Sequence, residues 1–99
     1  MQLEQTSTSE LTIIGNIKSV EDGIDIKDAI SLIQKNGSKS IQLKIIDSFS
    51  MTSTVIGFLM KLVNIDKIKI SLIVGDQRLF QLLEELSLVK PFNVRVIEK

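Results

Sequence analysis

The sequence predicts a single α/β domain over residues 1–99, with helices packed against a mixed, mostly parallel β-sheet. Segments with the alternating period of strands follow segments with the helical period of about 3.6 residues, an order typical of parallel crossover units. Sixteen isoleucines against one alanine favour a sheet-centred core over a helical bundle. No linker, repeat or low-complexity tract divides the chain, so we expect one domain.

The N-terminal third of the chain predicts a hairpin followed by a helix. Residues 10–14 are a short β-branched run, and residues 3–6 pair with them through a hydroxyl-rich turn. A helix is expected over 25–36, where the apolar residues of one face are Ile26, Ala29, Ile30 and Ile33. Asn36-Gly37 then supplies the left-handed stop that commonly ends such a helix.

The remaining two thirds predict three strands and two helices. Strands are expected over residues 40–46, 68–74 and 93–97, and the last of them follows the break at Pro91. Helices are expected over 54–65 and 77–87. Asp76 is a plausible cap for the second of these helices, whose apolar stripe consists of Leu79, Leu82, Leu83 and Leu86.

The composition excludes several classes of site. The chain has no histidine and no cysteine, which rules out thiolate nucleophiles, disulfides, imidazole bases and zinc sites with Cys or His ligands. A formal net charge of zero and the absence of Trp and Tyr argue against nucleic acid as a direct partner. The N-terminus lacks the basic and apolar regions of a signal peptide, so we expect a cytoplasmic protein without membrane insertion.

The sequence does not indicate an enzyme. The five glycines are scattered, so no glycine-rich phosphate loop is present. The carboxylate pairs lie near predicted helix ends or on polar faces, where solvated charge explains them: Glu21 with Asp22, Asp25 with Asp28, and Glu84 with Glu85. We therefore expect neither a catalytic site nor a metal site, and no cofactor.

The most specific local feature is a run of three hydroxyls, Thr52, Ser53 and Thr54, where a loop enters the middle helix. One interpretation is structural, with Ser53 or Thr52 as the helix cap that accepts a hydrogen bond from an unpaired backbone N–H. The other interpretation is a modification site at an exposed helix end. The sequence leaves both open.

The middle helix has an unusually wide apolar arc of roughly 200°, at about 100° per residue. A helix that faces its own core needs a stripe only somewhat over 100° wide. Phe58 lies at one margin of the arc, and Ile56 with Met60 lies at the other. Either the helix is covered on two sides, or the Ile56–Met60 margin beside Ser53 is a partner surface.

Residues 43–57 resemble the signature of STAS domains, the fold of bacterial anti-sigma factor antagonists. The family pattern L-D-L-S-x-V-x-F-I-D-S-S-G-L-G aligns without gaps, so that residues 52–57 fall on D-S-S-G-L-G. Residues 11–18 are similar to the family's L-x-G-E-L-D entry, and residues 79–92 to its closing helix and tail. Three departures from the pattern bear on the site that it implies, with Thr52 for Asp, Val55 for Gly and Lys18 for Asp.

The resemblance implies a regulatory protein that binds an anti-sigma factor of the serine-kinase type. It implies that this partner phosphorylates Ser53, with Thr52 and Thr54 as alternative acceptors, and that a phosphatase resets the switch. A phosphate there brings about −1.5 to −2 charges to the contact surface and opposes docking. The expected partner-binding residues are Thr52, Ser53, Thr54, Ile56 and Met60.

Two other functions stay open at this point. The first is a STAS scaffold or subunit without a phospho-switch, for example in a transporter-associated complex. The second is a sensor of a small ligand or nucleotide, which ranks last because the sequence has no recognisable phosphate cradle. A homo-oligomer is compatible with all of these readings.

Overall fold

Five strands and three helices build the protein in the computed structural model, which describes residues 1–97. The strands are β1 (Gln2–Ser7), β2 (Glu10–Ile14), β3 (Ser40–Ile45), β4 (Lys69–Val74) and β5 (Val94–Val96). The helices are α1 (Val20–Lys35), α2 (Ser53–Asn64) and α3 (Gln77–Glu85). The predicted α/β class is confirmed, with strands and helices in the predicted order.

The sheet runs β1-β2-β3-β4-β5, in chain order. β1 pairs with β2 antiparallel, and every later pair is parallel. The three crossovers all step in the same direction, and such connections are almost always right-handed, which places α1, α2 and α3 on one face of the sheet. The other face, called here the uncovered face, has no helix over it.

Alternation along the strands agrees with a sheet covered on one side. In β3, Ile41, Leu43 and Ile45 are buried under the helices. Gln42 and Lys44 lie between them on the uncovered face and are half-buried. Full burial of one isoleucine side chain contributes about 1.5–3 kcal/mol, so this repeated pattern supplies most of the driving force for folding.

The predicted start of α1 is wrong. The helix begins at Val20 rather than at 25, because Ser19 and Asp22 form a capping box around its first turn. Val20 and Ile24 are apolar but 71% and 48% exposed, so they fall outside the buried stripe from which the prediction was made. The helix ends at Lys35, one residue before the predicted 36, and the predicted stop at Asn36-Gly37 is confirmed by the left-handed φ of 95° at Gly37.

Other element ends differ from prediction by small amounts. α2 begins and ends one residue before the predicted 54–65. α3 ends at Glu85 instead of 87, because Leu86 is its C-cap and Ser87 takes a left-handed φ of 59° that a helix cannot continue through. Strand β5 is shorter than the predicted 93–97, with Asn93 in the preceding turn.

Candidate partner-binding site at the start of helix α2

The loop that leads into α2 is fastened to the connection between β2 and α1. Ser48 is fully buried; its Oγ accepts a hydrogen bond from the Ile17 backbone N–H at 3.0 Å and donates to the Ser50 carbonyl at 2.6 Å. Next to it, the Phe49 backbone N–H donates to Asn16 Oδ1 at 3.2 Å. Buried, paired polar groups specify one loop conformation, so the start of α2 has a defined position.

Thr52, not Ser53, caps α2. Thr52 has an extended backbone, and its Oγ1 accepts a hydrogen bond from the Val55 N–H at 3.3 Å. Ser53 is the first residue of the helix and is exposed, which is the placement that the sequence predicts. Within residues 1–97 the Ser53 hydroxyl makes no hydrogen bond, so Thr52 takes the capping role that the sequence left open between Ser53 and Thr52.

Three residues share the outward face of α2, on successive turns. Ser53, Gly57 and Met60 are all exposed, and at about 100° per residue they lie within roughly 60° of one another. A Cβ added to Gly57 would meet nothing within 4 Å. Glycine inside a helix costs about 1 kcal/mol relative to alanine. The fold itself therefore offers no packing reason for Gly57, which leaves room for a close approach from outside.

Most of the wide apolar arc of α2 is covered by the protein itself. Val55, Leu59 and Leu62 are buried in the core, and Ile56 is half-buried and packs against it. Met60, at 41% exposure, is the member of the expected strip that faces solvent. Ile56 is the less exposed member of the expected Ile56–Met60 strip, and partner binding through both residues stays a prediction.

The opposite margin of the arc packs against α1. Gly23 is buried there, and a Cβ at its position would lie 3.5 Å from Val55 Cγ2 and 3.7 Å from Thr52 Oγ1. The Lys27 ammonium sits 5.7 Å from the centre of the Phe58 ring. The two distances at Gly23 are ordinary van der Waals distances, so the starts of α1 and α2 pack against each other there.

Sequence reasoning missed several exposed apolar side chains near this end of the helix layer. Phe49 is 45% exposed and Ile46 is 37% exposed, in the loop before α2. Val20 and Ile24, on the first two turns of α1, were missed because the helix start was placed too late. Their spacing of four residues in a helix capped by Ser19 is the signal that identifies them.

Arg78 links the loop before α2 to the start of α3. Its guanidinium carbon lies 4.8 Å from the centre of the Phe49 ring, and its Nη2 is 2.8 Å from Asp76 Oδ2. Hydrogen bonds from the Arg78 side chain, and then from its backbone N–H, lower the pKa of Asp76 to about 2. Asp76 caps α3, as the sequence predicts.

The carboxylates of Asp22 and Asp76 cap helices α1 and α3. Hydrogen bonds donated by the backbone N–H groups of Lys18 and Ser19 lower the pKa of Asp22, in keeping with its capping role. Over residues 1–97, no three acidic side chains come together in a way that would hold a metal ion. In the same range, every helix is too short or too polar to cross a bilayer.

Comparisons with protein-family models, with curated proteins and with solved structures return no match to this chain. The assignment of a function therefore rests on the geometry at the start of α2.

Proposed function

We propose that the protein is a regulatory binding module of the STAS antagonist type, which docks an anti-sigma factor through the outward face of α2. Ser53 is the switch residue, phosphorylated by that partner and reset by a phosphatase. The observation that carries the proposal is the different placement of two neighbouring hydroxyls. Thr52 Oγ1 caps α2, whereas Ser53 is the first residue of the helix and is exposed. Because Thr52 caps the helix, the Ser53 hydroxyl stays exposed and free to react.

The alternative acceptors differ in accessibility. Thr52 is half-buried and its Oγ1 is engaged in the cap, so phosphorylation there would remove a helix-stabilising contact. Thr54 is exposed on the side of α2 that faces Gly23, and its Cγ2 would be 3.8 Å from a Cβ at that glycine. Ser53 is therefore the acceptor whose phosphorylation would disturb the fewest contacts within the protein.

The proposed switch is electrostatic and steric. Transfer of the γ-phosphoryl group of ATP to Ser53 Oγ releases ADP and leaves an ester with about −1.5 to −2 charges. The first turn of α2 contains no acidic residue, so its unpaired N–H groups accommodate the new charge within the folded protein. Docking over the same surface would desolvate the phosphate. A loss of about 3 kcal/mol in binding corresponds to roughly a hundredfold in affinity.

Gly57 and Met60 support a docking role for this face. Met60 supplies an exposed, flexible apolar contact one turn beyond Gly57. Gly57 supplies a patch of bare helix backbone beside Ser53. The module acts by binding rather than by catalysis, it needs no cofactor, and we place it in the cytoplasm with its partners.

The test uses recombinant anti-sigma serine kinases encoded in the same genome, incubated with the purified chain and ATP. Mass spectrometry should locate the phosphate on Ser53, and calorimetry should show about a hundredfold weaker binding of the phosphorylated form. Gly57→Ala separates docking from folding. It should raise the free energy of unfolding by about 1 kcal/mol while weakening binding at least about tenfold.

Matched controls lie on the exposed surface of α1. Leu32→Asp, at a side chain 62% exposed, should leave binding unchanged, whereas Met60→Asp should abolish it. Ile56→Asp is a poor probe because the residue is half-buried against the core. A kinase that binds the chain equally well before and after Ser53→Asp would exclude the switch and favour the scaffold function. Unimpaired binding by both Gly57→Ala and Met60→Asp would exclude docking on this face.

A further inference from the structure

A shallow groove on the uncovered face lies at the edge formed by β4 and β5. Its volume is about 490 Å³, and its polar lining consists of Lys69, Ser71, Lys90, Asn93 and Arg95, accompanied by two valines. We call it the β5 groove. It is separate from the start of α2, since α2 lies on the covered face of the sheet.

Strand geometry directs three of these side chains into the groove. Lys69 and Ser71 alternate along β4 with the buried Ile70 and Leu72, so they lie on the uncovered face. Arg95 pairs in register with Ile73 and follows the buried Val94. The strands therefore present the side chains of Lys69, Ser71 and Arg95 on the same face of the sheet.

The turn before β5 completes the groove and is itself held in place. Asn93 adopts a left-handed φ of 49°, and its Nδ2 donates to the Ile70 carbonyl at 2.8 Å. The Val94 N–H donates to the Val89 carbonyl at 2.9 Å, which closes the turn that carries Lys90. Lys90 thus approaches the groove from a fixed backbone.

The charge of the groove is one-sided in a chain whose formal net charge is zero. Among residues 1–97, three cations line it and no carboxylate does. The one ion pair within residues 1–97 joins Arg78 to Asp76, so none of the three groove cations is neutralised by a carboxylate of that range. Clustered cations in a concave site raise the local concentration of anions.

The same face limits the size of the anion. Glu4 is paired in register with Thr12, and Glu10 Oε2 accepts from Gln42 Nε2 at 2.8 Å, so both glutamates lie on the β1–β2 half of the uncovered face. An extended nucleic acid laid across the sheet would meet these carboxylates. The groove has no aromatic side chain on which a base would stack.

We propose that the β5 groove binds a small phosphate ester, with Lys69, Lys90 and Arg95 contacting the phosphate oxygens. A volume of about 490 Å³ falls in the range of small-molecule sites, about 300–1,000 Å³. Arg95 suits a bidentate contact to phosphate, and the two lysines act as point charges. Ser71 Oγ and Asn93 Oδ1 are left to contact the esterified group, since Asn93 Nδ2 already donates to the Ile70 carbonyl.

The test is an NMR titration of the ¹⁵N-labelled chain with sodium pyrophosphate at constant ionic strength. Amide shifts should saturate with a Kd of about 1 mM or tighter and should be confined to residues 69–71 and 89–95. Arg95→Gln, Lys90→Gln and Lys69→Gln should each weaken binding about tenfold. Lys35→Gln, an exposed cation on α1, is the matched control and should change nothing.

Two outcomes would overturn this assignment. The first is a set of small, non-saturating shifts spread over lysines throughout the chain, or an equal loss of affinity in Lys35→Gln. The second is tighter binding of a single-stranded oligonucleotide than of pyrophosphate through the same three cations, which would make the groove a nucleic-acid contact. Neither readout involves Ser53, so the groove and the α2 switch succeed or fail independently.

Discussion

Helices α2 and α3 are both capped by a side chain at their N-terminus, but the capping group is a hydroxyl in α2 and a carboxylate in α3. Both helices follow a parallel strand at the same edge of the sheet. α3 is capped by the carboxylate of Asp76, which Arg78 neutralises in turn. α2 is capped by the neutral hydroxyl of Thr52, and its first turn carries no acidic side chain.

This difference gives the N-termini of α2 and α3 different local charges. A helix N-terminus carries roughly half a positive charge. At α3 the chain supplies its own carboxylate, so an added phosphate would meet Asp76. At α2 the positive end is uncompensated, and the exposed Ser53 stands directly on it. Under the proposed switch, the neutral cap leaves the positive end of α2 able to interact with a phosphate on Ser53.

The largest effect that tests this comparison comes from the residue before the α3 cap. A Cβ at Gly75 would lie 2.3 Å from the Ile46 carbonyl oxygen, which is backbone and cannot rotate away. Gly75→Ala should destabilise the protein by about 3 kcal/mol, because the loop before α2 must move. Urea denaturation measures it. Gly57→Ala is the control with open space, and a similar loss there would contradict the steric argument.

A smaller effect separates the two hydroxyls at the start of α2. Thr52→Ala should cost about 1 kcal/mol of stability through loss of the cap to the Val55 N–H, and Thr52→Ser should retain most of it. Ser53→Ala should stay within about 0.5 kcal/mol of wild type. Equal losses from Thr52→Ala and Ser53→Ala in thermal unfolding would show that the capping role is shared.

A still smaller effect reports on the uncompensated helix dipole. Ser53→Asp should stabilise the isolated protein by about 0.3–0.5 kcal/mol at low salt. The gain should shrink in about 0.5 M NaCl, because salt screens the interaction of the carboxylate with the helix dipole. The comparison variant is Gln77→Asp, at the first residue of α3, where Asp76 is already present. A gain at Gln77 as large as that at Ser53 would remove the distinction between the two helix ends.

The smallest effect is the pH dependence of the α3 cap. The pKa of Asp76 is lowered from 3.8 to about 2, so its contribution is complete above pH 3.8 and is lost as the pH falls through about 2. The free energy of unfolding should therefore fall less steeply between pH 3.8 and about 2 in Asp76→Asn than in wild type. Above pH 3.8 the two plots of free energy of unfolding against pH should be parallel. Because the pair is exposed, the change should be small and screened by salt. Parallel curves through pH 2 would exclude the ion pair.

The sequence predicted the elements well where burial and periodicity agree. Ile41, Leu43 and Ile45 alternate with polar residues because one face of the sheet is covered, and that alternation is visible in the sequence. The start of α1 was missed because Val20 and Ile24 are apolar yet exposed, so they do not continue the periodic pattern of the core-facing residues. Capping residues gave the better signal there, since Ser19 and Asp22 mark the true start.

The sequence predicted the hydroxyl run at the start of α2, but not the role of each hydroxyl. Three adjacent hydroxyls pointed to the start of α2, but periodicity cannot say which of them turns inward to an N–H. The width of the apolar arc indicated a partner surface, yet much of it covers the core and packs beside Gly23. Only contacts between elements distant in the chain reveal how much of such an arc is left over.

By itself, the sequence determined the α/β class, the order of the elements and the location of the hydroxyl run, because local periodicity and capping chemistry depend on neighbours in the chain. Tertiary structure decided the rest. It buried Ser48, left Ile56 half-buried and Met60 and Gly57 exposed, and collected cations from β4, β5 and the turn before β5 into one groove. These outcomes depend on which distant segments pack together, and that is set by the sum of many small burial energies.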